Sequence, residues 1–121
     1  IIPIQCEYYA LEGLGQLLNN VGLVQDSLNA DLKVSSIVLV MFDARTRLAE
    51  QVAAEVREHF GDLVLQTVVP RSVRLSEAPS YGKPVELYDP SSTGASAYRE
   101  VTKEIIGQQV RDPDILSERS R

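Results

Sequence analysis

A single cysteine, Cys6, in 121 residues leaves no partner for an internal disulfide, and no metal-ligand spacing surrounds it. That usage fits a reducing, cytoplasmic setting. No apolar run approaches the roughly 18 residues of a membrane span. Positive charge is scarce: 12 Lys and Arg stand against 17 Asp and Glu, for a formal net charge of −5. Taken alone, that balance argues against a dedicated nucleic-acid binder, which is typically basic overall. Net charge is silent about local patches, however, so the distribution of cations matters. There is no Gly-rich loop ending in Gly-Lys-Ser/Thr to cradle phosphates. No Ser/His/Asp or Cys/His set converges, no carboxylate pair is obvious, and neither an internal repeat nor a low-complexity tract is present. As it stands, the chain is not expected to hydrolyse anything.

What is there is ordinary globular sequence, 44% apolar and 24% charged, long enough for one domain or part of one. It opens at Ile1-Ile2-Pro3-Ile4-Gln5 in strand-like sequence without an initiator Met, and is therefore expected to be a piece of a longer chain. Three apolar runs suit buried strands: Ile1 to Gln5, Ile37 to Phe42, and Leu63 to Val69 stopped by Pro70. The middle run is unbroken, as in a parallel strand covered on both faces. Leu11, Leu14, Leu18, Val21 and Leu28 predict a helix from about Tyr8 to Leu28, weakened by Gly13, Gly15 and Gly22. Leu48, Val52, Val56 and Phe60 predict a second helix, with Gly61 at its C-terminal cap. Tyr98, Val101 and Ile105 line a third, with N-cap candidates around Tyr88 to Ser92. The order is that of an α/β fold, a parallel sheet flanked by helices. The polar, aperiodic stretch from Gln108 to Arg121 is expected to be a frayed tail.

Open parallel sheets bind ligands beyond the carboxyl ends of their strands. Functional residues should thus follow Gln5, Phe42 and Val69. The first such segment is Gln5-Cys6-Glu7-Tyr8-Tyr9 and the second is Asp43-Ala44-Arg45-Thr46-Arg47. The third, Pro70 to Pro84, reads as a loop of about fifteen residues with three prolines, a length that is usually functional or disordered. It carries Arg71, Arg74 and Lys83 against Glu77 alone. With Arg45 and Arg47, five cations can gather on one edge and hold phosphates of a nucleotide, of DNA, or of both. The plainer alternative is that isolated arginines are solvated surface. By the same plain reading Asp43 is a helix cap, Tyr8 and Tyr9 pack, His59 is a surface histidine favoured by the helix dipole, and Cys6 is a small buried residue.

Several segments carry a family resemblance. Pro3-Ile4-Gln5-Cys6-Glu7-Tyr8-Tyr9-Ala10-Leu11-Glu12-Gly13-Leu14 resembles the segment after the Walker B strand of ParA/Soj partition ATPases. Met41-Phe42-Asp43-Ala44-Arg45-Thr46 resembles that family's next strand end. The most specific match is Pro70-Arg71-Ser72-Val73-Arg74-Leu75-Ser76-Glu77-Ala78-Pro79-Ser80-Tyr81-Gly82-Lys83-Pro84-Val85, followed by Tyr88-Asp89-Pro90 and Gly94-Ala95. The similarity runs from Ile1 to about Ile106; Ser72 departs from the family's frequent Asn.

The resemblance implies the C-terminal half of a deviant-Walker-A P-loop ATPase, with residues 1–107 in the ATPase domain and 108–121 as its tail. The parent would bind ATP and Mg²⁺ through residues upstream of Ile1, dimerise across two nucleotides and coat DNA without sequence preference. A ParB-type partner would stimulate hydrolysis, and the cycle would separate chromosomes or plasmids in the cytoplasm, on the nucleoid. No catalytic or metal-binding residue is carried over to this chain. Met41, Phe42, Pro70, Arg71 and Ser72 match positions bordering the adenine. Arg45 and Arg74 match arginines that contact DNA phosphates, with Arg47, Arg71 and Lys83 as weaker candidates. A non-catalytic paralogue acting as an interaction module is the alternative. A membrane-acting relative of the MinD type would need a C-terminal amphipathic helix, which Pro113 and the polar end do not provide. Cut from its parent, the piece is expected to be poorly soluble or oligomeric, since a divided sheet exposes strand edges and apolar surface.

Overall fold

The unbroken apolar run from Ile37 to Phe42 is the central strand of a three-stranded parallel sheet in the computed structural model, which describes residues 1–111. In chain order the elements are β1 (Ile2–Gln5), α1 (Ala10–Ser27), β2 (Ile37–Phe42), α2 (Arg47–Phe60), a 3₁₀ turn (Gly61–Leu63), β3 (Val64–Pro70), α3 (Val73–Glu77), a second 3₁₀ turn (Ala78–Tyr81), α4 (Val85–Tyr88) and α5 (Thr93–Arg111). β2 pairs in parallel with β1 on one side and β3 on the other. This is an α/β fold with helices flanking a parallel sheet, as the order of apolar runs predicts.

Alternation along β2 divides the core in two. Ile37 and Leu39 join Ile2, Ile4, Leu14, Val52 and Val56 in a cluster beneath α1 and α2. Val38 joins Leu65, Val69 and Val101 beneath α5, with Val40 and Leu75 packed alongside. Both faces of β2 are therefore covered from Ile37 to Leu39, while Val40 to Phe42 are partly exposed. On β1 only Ile2 and Ile4 are buried, while Pro3 and Gln5 are exposed.

Helix boundaries follow local chemistry. α1 passes through Gly13, Gly15 and Gly22 unbroken, held by buried Leu14, and begins at Ala10 rather than Tyr8. The Thr46 hydroxyl accepts the Ala49 N–H at 3.2 Å, so Thr46 caps α2 and Asp43 does not. Gly61, at φ +51°, ends that helix. The Ser92 hydroxyl oxygen accepts the Ala95 N–H at 3.2 Å and opens α5.

Two expectations from the sequence change. The supposed fifteen-residue loop after β3 is folded into two short helical pieces, α3 and the second 3₁₀ turn, and α4 starts immediately after it. Its prolines do not prevent this: Pro79 lies in the first positions of its turn and Pro84 immediately precedes α4. At such places a missing N–H leaves no bond unmade. Gly82, at φ +63°, supplies the left-handed residue between them. The second change is at the far end, where α5 runs to Arg111. Gln108 accepts a hydrogen bond at 3.1 Å from the hydroxyl of Ser36, which is buried just before β2. The helix therefore extends four residues beyond the boundary expected at 107, and the remainder of the expected tail lies outside the described residues.

The outer edge of β3 is occupied by side chains. Between the Ile37–Val64 and Leu39–Val68 pairings β3 carries extra residues, forming a bulge. There the Glu104 carboxylate accepts the N–H groups of Gln66 and Thr67, both at 2.8 Å, and the Thr67 hydroxyl at 2.8 Å. The Arg57 guanidinium donates to the carbonyls of Leu65 at 3.1 Å and Gln66 at 3.2 Å.

Where α5 meets α3 there is no room to spare. A Cβ on Gly94 would lie 2.6 Å from Cγ of Leu75, a branch point that cannot swing aside as a chain end can. Gly94→Ala is expected to destabilise the protein by about 1–3 kcal/mol through overpacking, read as a lowered denaturant midpoint at unchanged slope. The same change at Gly13, which has open space around it, should have the opposite sign.

Candidate functional site

At the carboxyl ends of β2 and β3 the ladder slips a second time. Leu39 pairs with Val68 but Phe42 pairs with Pro70, so β2 carries one residue more than its neighbour. Met41 absorbs the difference at φ +52°, the only positive φ outside glycine among the described residues. Such a backbone costs of order 1–3 kcal/mol and persists only where the surroundings impose it. The kinked strand end and the short helices after Pro70 enclose an open groove of about 1240 Å³.

Met41, Phe42, Pro70, Arg71 and Ser72 all line this groove, together with Arg45. Its floor and walls are apolar at Val40, Phe42, Val69 and Leu75, with Ser72, Thr93 and Ser96 supplying hydroxyls. The Arg71 N–H donates to the Phe42 carbonyl at 3.0 Å, which fixes the two strand ends to each other. Sequence reasoning missed the contribution of α5, since Thr93, Ser96, Ala97 and Tyr98 read only as a helix start. Arg74 lies on α3, whose next two residues, Leu75 and Ser76, line the groove. Arg47 and Lys83 do not line it.

Each arginine near the groove already has an anionic partner. Arg45 grips Asp43 in a two-point fork, Nε to Oδ1 and Nη2 to Oδ2, both 3.0 Å, while its own backbone N–H donates to Oδ1 at 3.1 Å. That side-chain bond, helped by the backbone one, holds the Asp43 carboxyl below the usual carboxylate range, so it is ionised at neutral pH. Arg71 is 3.7 Å from Glu7. Arg74 lies 3.2 Å from Glu77 and 3.3 Å from Asp89. The Tyr88 hydroxyl donates to Glu77 at 2.6 Å, and its ring stacks on Tyr81 with centroids 5.0 Å apart. The bond to Tyr88 first, then Glu77, pushes the Arg74 guanidinium above its already high range. The Glu77 bond likewise raises the Tyr88 phenol. The three-residue spacing of Arg74 and Glu77 was visible in the sequence; Asp89 and Glu7 reach their partners only through the fold.

The residues read as structural divide. Cys6 is buried, which pushes its thiol up and keeps it unreactive. His59 is surface-placed, its Nδ1 2.8 Å from the Glu55 carbonyl oxygen. Tyr8 and Tyr9, expected to pack, are instead 77% and 71% exposed, and meet each other edge to face at 5.1 Å. They stand beside a smaller groove of about 480 Å³ along β1 and α1.

A family model described as an AAA domain matches residues 1–34. The sporulation initiation inhibitor protein Soj of Bacillus subtilis is 60% identical over 105 residues, covering 87% of this chain and 42% of that protein. The chromosome partitioning protein ParA of Caulobacter vibrioides is 51% identical over 108 residues, or 89% of this chain and 40% of its own length. The chain belongs to the ParA/Soj family. A third member, the chromosome-partitioning ATPase Soj of Thermus thermophilus, is 47% identical over 108 residues, 89% of this chain and 43% of that one. The chain thus spans about two-fifths of the length of the curated ParA/Soj relatives it matches. Among the described residues, no group of three or more His, Cys, Asp or Glu is placed to hold a metal, and no helix is long and apolar enough to cross a membrane.

Proposed function

We propose that this chain is the C-terminal half of a ParA-type partitioning ATPase, in which it borders the adenine of ATP and presents arginines to DNA. The observation that supports this best is the groove itself. Five positions matched to the adenine border come from two strand ends that are far apart in sequence, and all line one cavity. The groove suits a base: apolar walls with a few hydroxyls are what a planar heterocycle needs. The sequence carries no phosphate loop and no metal-holding cluster lies among the described residues, so, as the resemblance implies, the triphosphate and Mg²⁺ are assigned to the part of the parent upstream of Ile1. ATP there supplies the phosphoanhydride to be cleaved; Met41, Phe42, Pro70 and Ser72 position the base, and this segment alone is inactive.

In the full protein, ATP-dependent dimerisation brings two copies of Arg45 and Arg74 onto one DNA duplex. An acidic chain thereby binds a polyanion without sequence preference, because phosphate contacts position but do not specify. A ParB-type partner resets the cycle, in the cytoplasm and on the nucleoid.

DNA co-sedimentation of the full-length protein with ATP, with ADP and without nucleotide tests this reading, alongside an Arg45→Ala variant. Arg45 is the better choice because its side chain is 87% exposed with Asp43 as its partner, whereas Arg74 holds several groups together. Binding with ATP alone is expected, lowered about tenfold or more in the variant on every sequence alike. A folded protein that binds DNA in no nucleotide state would overturn the DNA role and favour an interaction module.

A further inference from the structure

The arginines proposed for DNA do not wait bare. Arg45 is forked onto Asp43, Arg71 approaches Glu7, and Arg74 faces both Glu77 and Asp89. Locally, then, the Arg45 site is neutral and the Arg74 site carries one more negative charge than positive. A carboxylate offers a guanidinium a pair of anionic oxygens for a bidentate bond, as a phosphate does. Resting on the DNA reading above, we propose that Asp43, and Glu77 with Asp89, are built-in phosphate mimics: positioning residues that hold Arg45 and Arg74 in place and must be exchanged for DNA phosphates when the protein binds.

The geometry suits exchange rather than permanent structure. Arg45 is 87% exposed while Asp43 is 22% exposed, so the cation sits outermost and the anion behind it. At the other site Arg74 is 55% exposed, against 38% for Glu77 and 28% for Asp89. Each carboxylate also has a second bond that keeps it in position when the arginine leaves. Asp43 accepts the Arg45 backbone N–H, Glu77 accepts the Tyr88 hydroxyl, and Asp89 accepts the Ser91 hydroxyl at 3.1 Å. Exposed ion pairs of this kind are worth about 0–1 kcal/mol, so a polyanion can displace them. Their effect is to set a threshold. One or two contacts gain little, because each releases a carboxylate next to the DNA. Many contacts made together, as in a dimer on one duplex, overcome it.

The salt dependence of binding reads this directly. A bare arginine that neutralises a phosphate contributes about −0.9 to the slope of log affinity against log salt. An arginine that uncovers a carboxylate beside the same phosphate contributes less, since that site brings no net positive charge. Asp43→Asn retains the carbonyl oxygen that accepts the Arg45 N–H while removing the charge; Glu77→Gln with Asp89→Asn does the same for Arg74.

The experiment measures affinity of the ATP-bound full-length protein for a random-sequence duplex from about 50 to 200 mM salt. Wild type, Asp43→Asn, Glu77→Gln/Asp89→Asn and Arg45→Ala are compared. The amide variants are expected to bind more tightly at the low-salt end and to have slopes steeper by up to about 0.9 per carboxylate and protomer. Wild-type binding that weakens in the amide variants, with an unchanged or shallower slope, overturns the exchange and makes these carboxylates mere scaffolding. If Arg45→Ala binds like wild type, Arg45 does not reach DNA, and exchange at that site falls with it. Absence of binding by wild type and amide variants alike overturns both the exchange and the DNA role.

Discussion

Glu104→Ala is expected to lower the stability of the full-length protein by about 2–4 kcal/mol, although Glu104 lies outside the groove. Its carboxylate takes two backbone N–H groups and one hydroxyl, all at 2.8 Å, from the bulge in β3. Hydrogen bonds to a charged group contribute about 1.5–3 kcal/mol each. Gln66 is solvent-exposed and water replaces part of its loss, which keeps the sum below the simple total. Thr67 is half-buried, so its N–H is less easily rehydrated. Glu104→Gln, which retains one acceptor oxygen, should cost about half as much. Urea unfolding checks both: a falling midpoint at constant slope is expected. A variant indistinguishable from wild type would show that the bulge needs no plug.

A comparable loss is expected at the centre of the sheet. Leu39 is fully buried, between strands on both sides and beneath the helix face that carries Ala53 and Val56. Leu39→Ala leaves a cavity that two hydrogen-bonded neighbours cannot close, and such changes cost about 2–5 kcal/mol. Against a typical domain stability of about 5–15 kcal/mol, this is enough to populate unfolded chains measurably. Leu28→Ala is the internal control. That leucine is 81% exposed just past α1, and its truncation should stay within about 0.5 kcal/mol. Equal effects at the two positions would contradict the division of the core described above.

How much of this was legible depended on the range of the interaction involved. β2 could be read to the residue because an unbroken apolar run between polar flanks has few other uses. Ser92 lies within the predicted cap window, but at α2 the cap is Thr46 and not the expected Asp43, whose bonds go to Arg45 and which looks the same as a helix start in one dimension. The stretch after Pro70 read as a loop since proline spacing masks helical turns only four or five residues long. Pro70 to Ser72 follow from asking what lies beyond strand ends, whereas Met41 and Phe42, inside β2, entered only through the family resemblance. Thr93 and Ser96 were not found, because α5 reaches the groove only through its packing against β3. Likewise no local pattern announces that Asp89 meets Arg74, or that Glu104 closes the edge of a strand nearly forty positions earlier.

The occupied edge of β3 gives the sheet a polarity of growth. With Glu104 on the amides of Gln66 and Thr67 and Arg57 on the carbonyls of Leu65 and Gln66, that border cannot template another strand. On the opposite border, β1 pairs with β2 alone among the described strands. Extension of the sheet is therefore one-sided: a new strand, from the same polypeptide or another, is admitted only beside Ile2–Gln5.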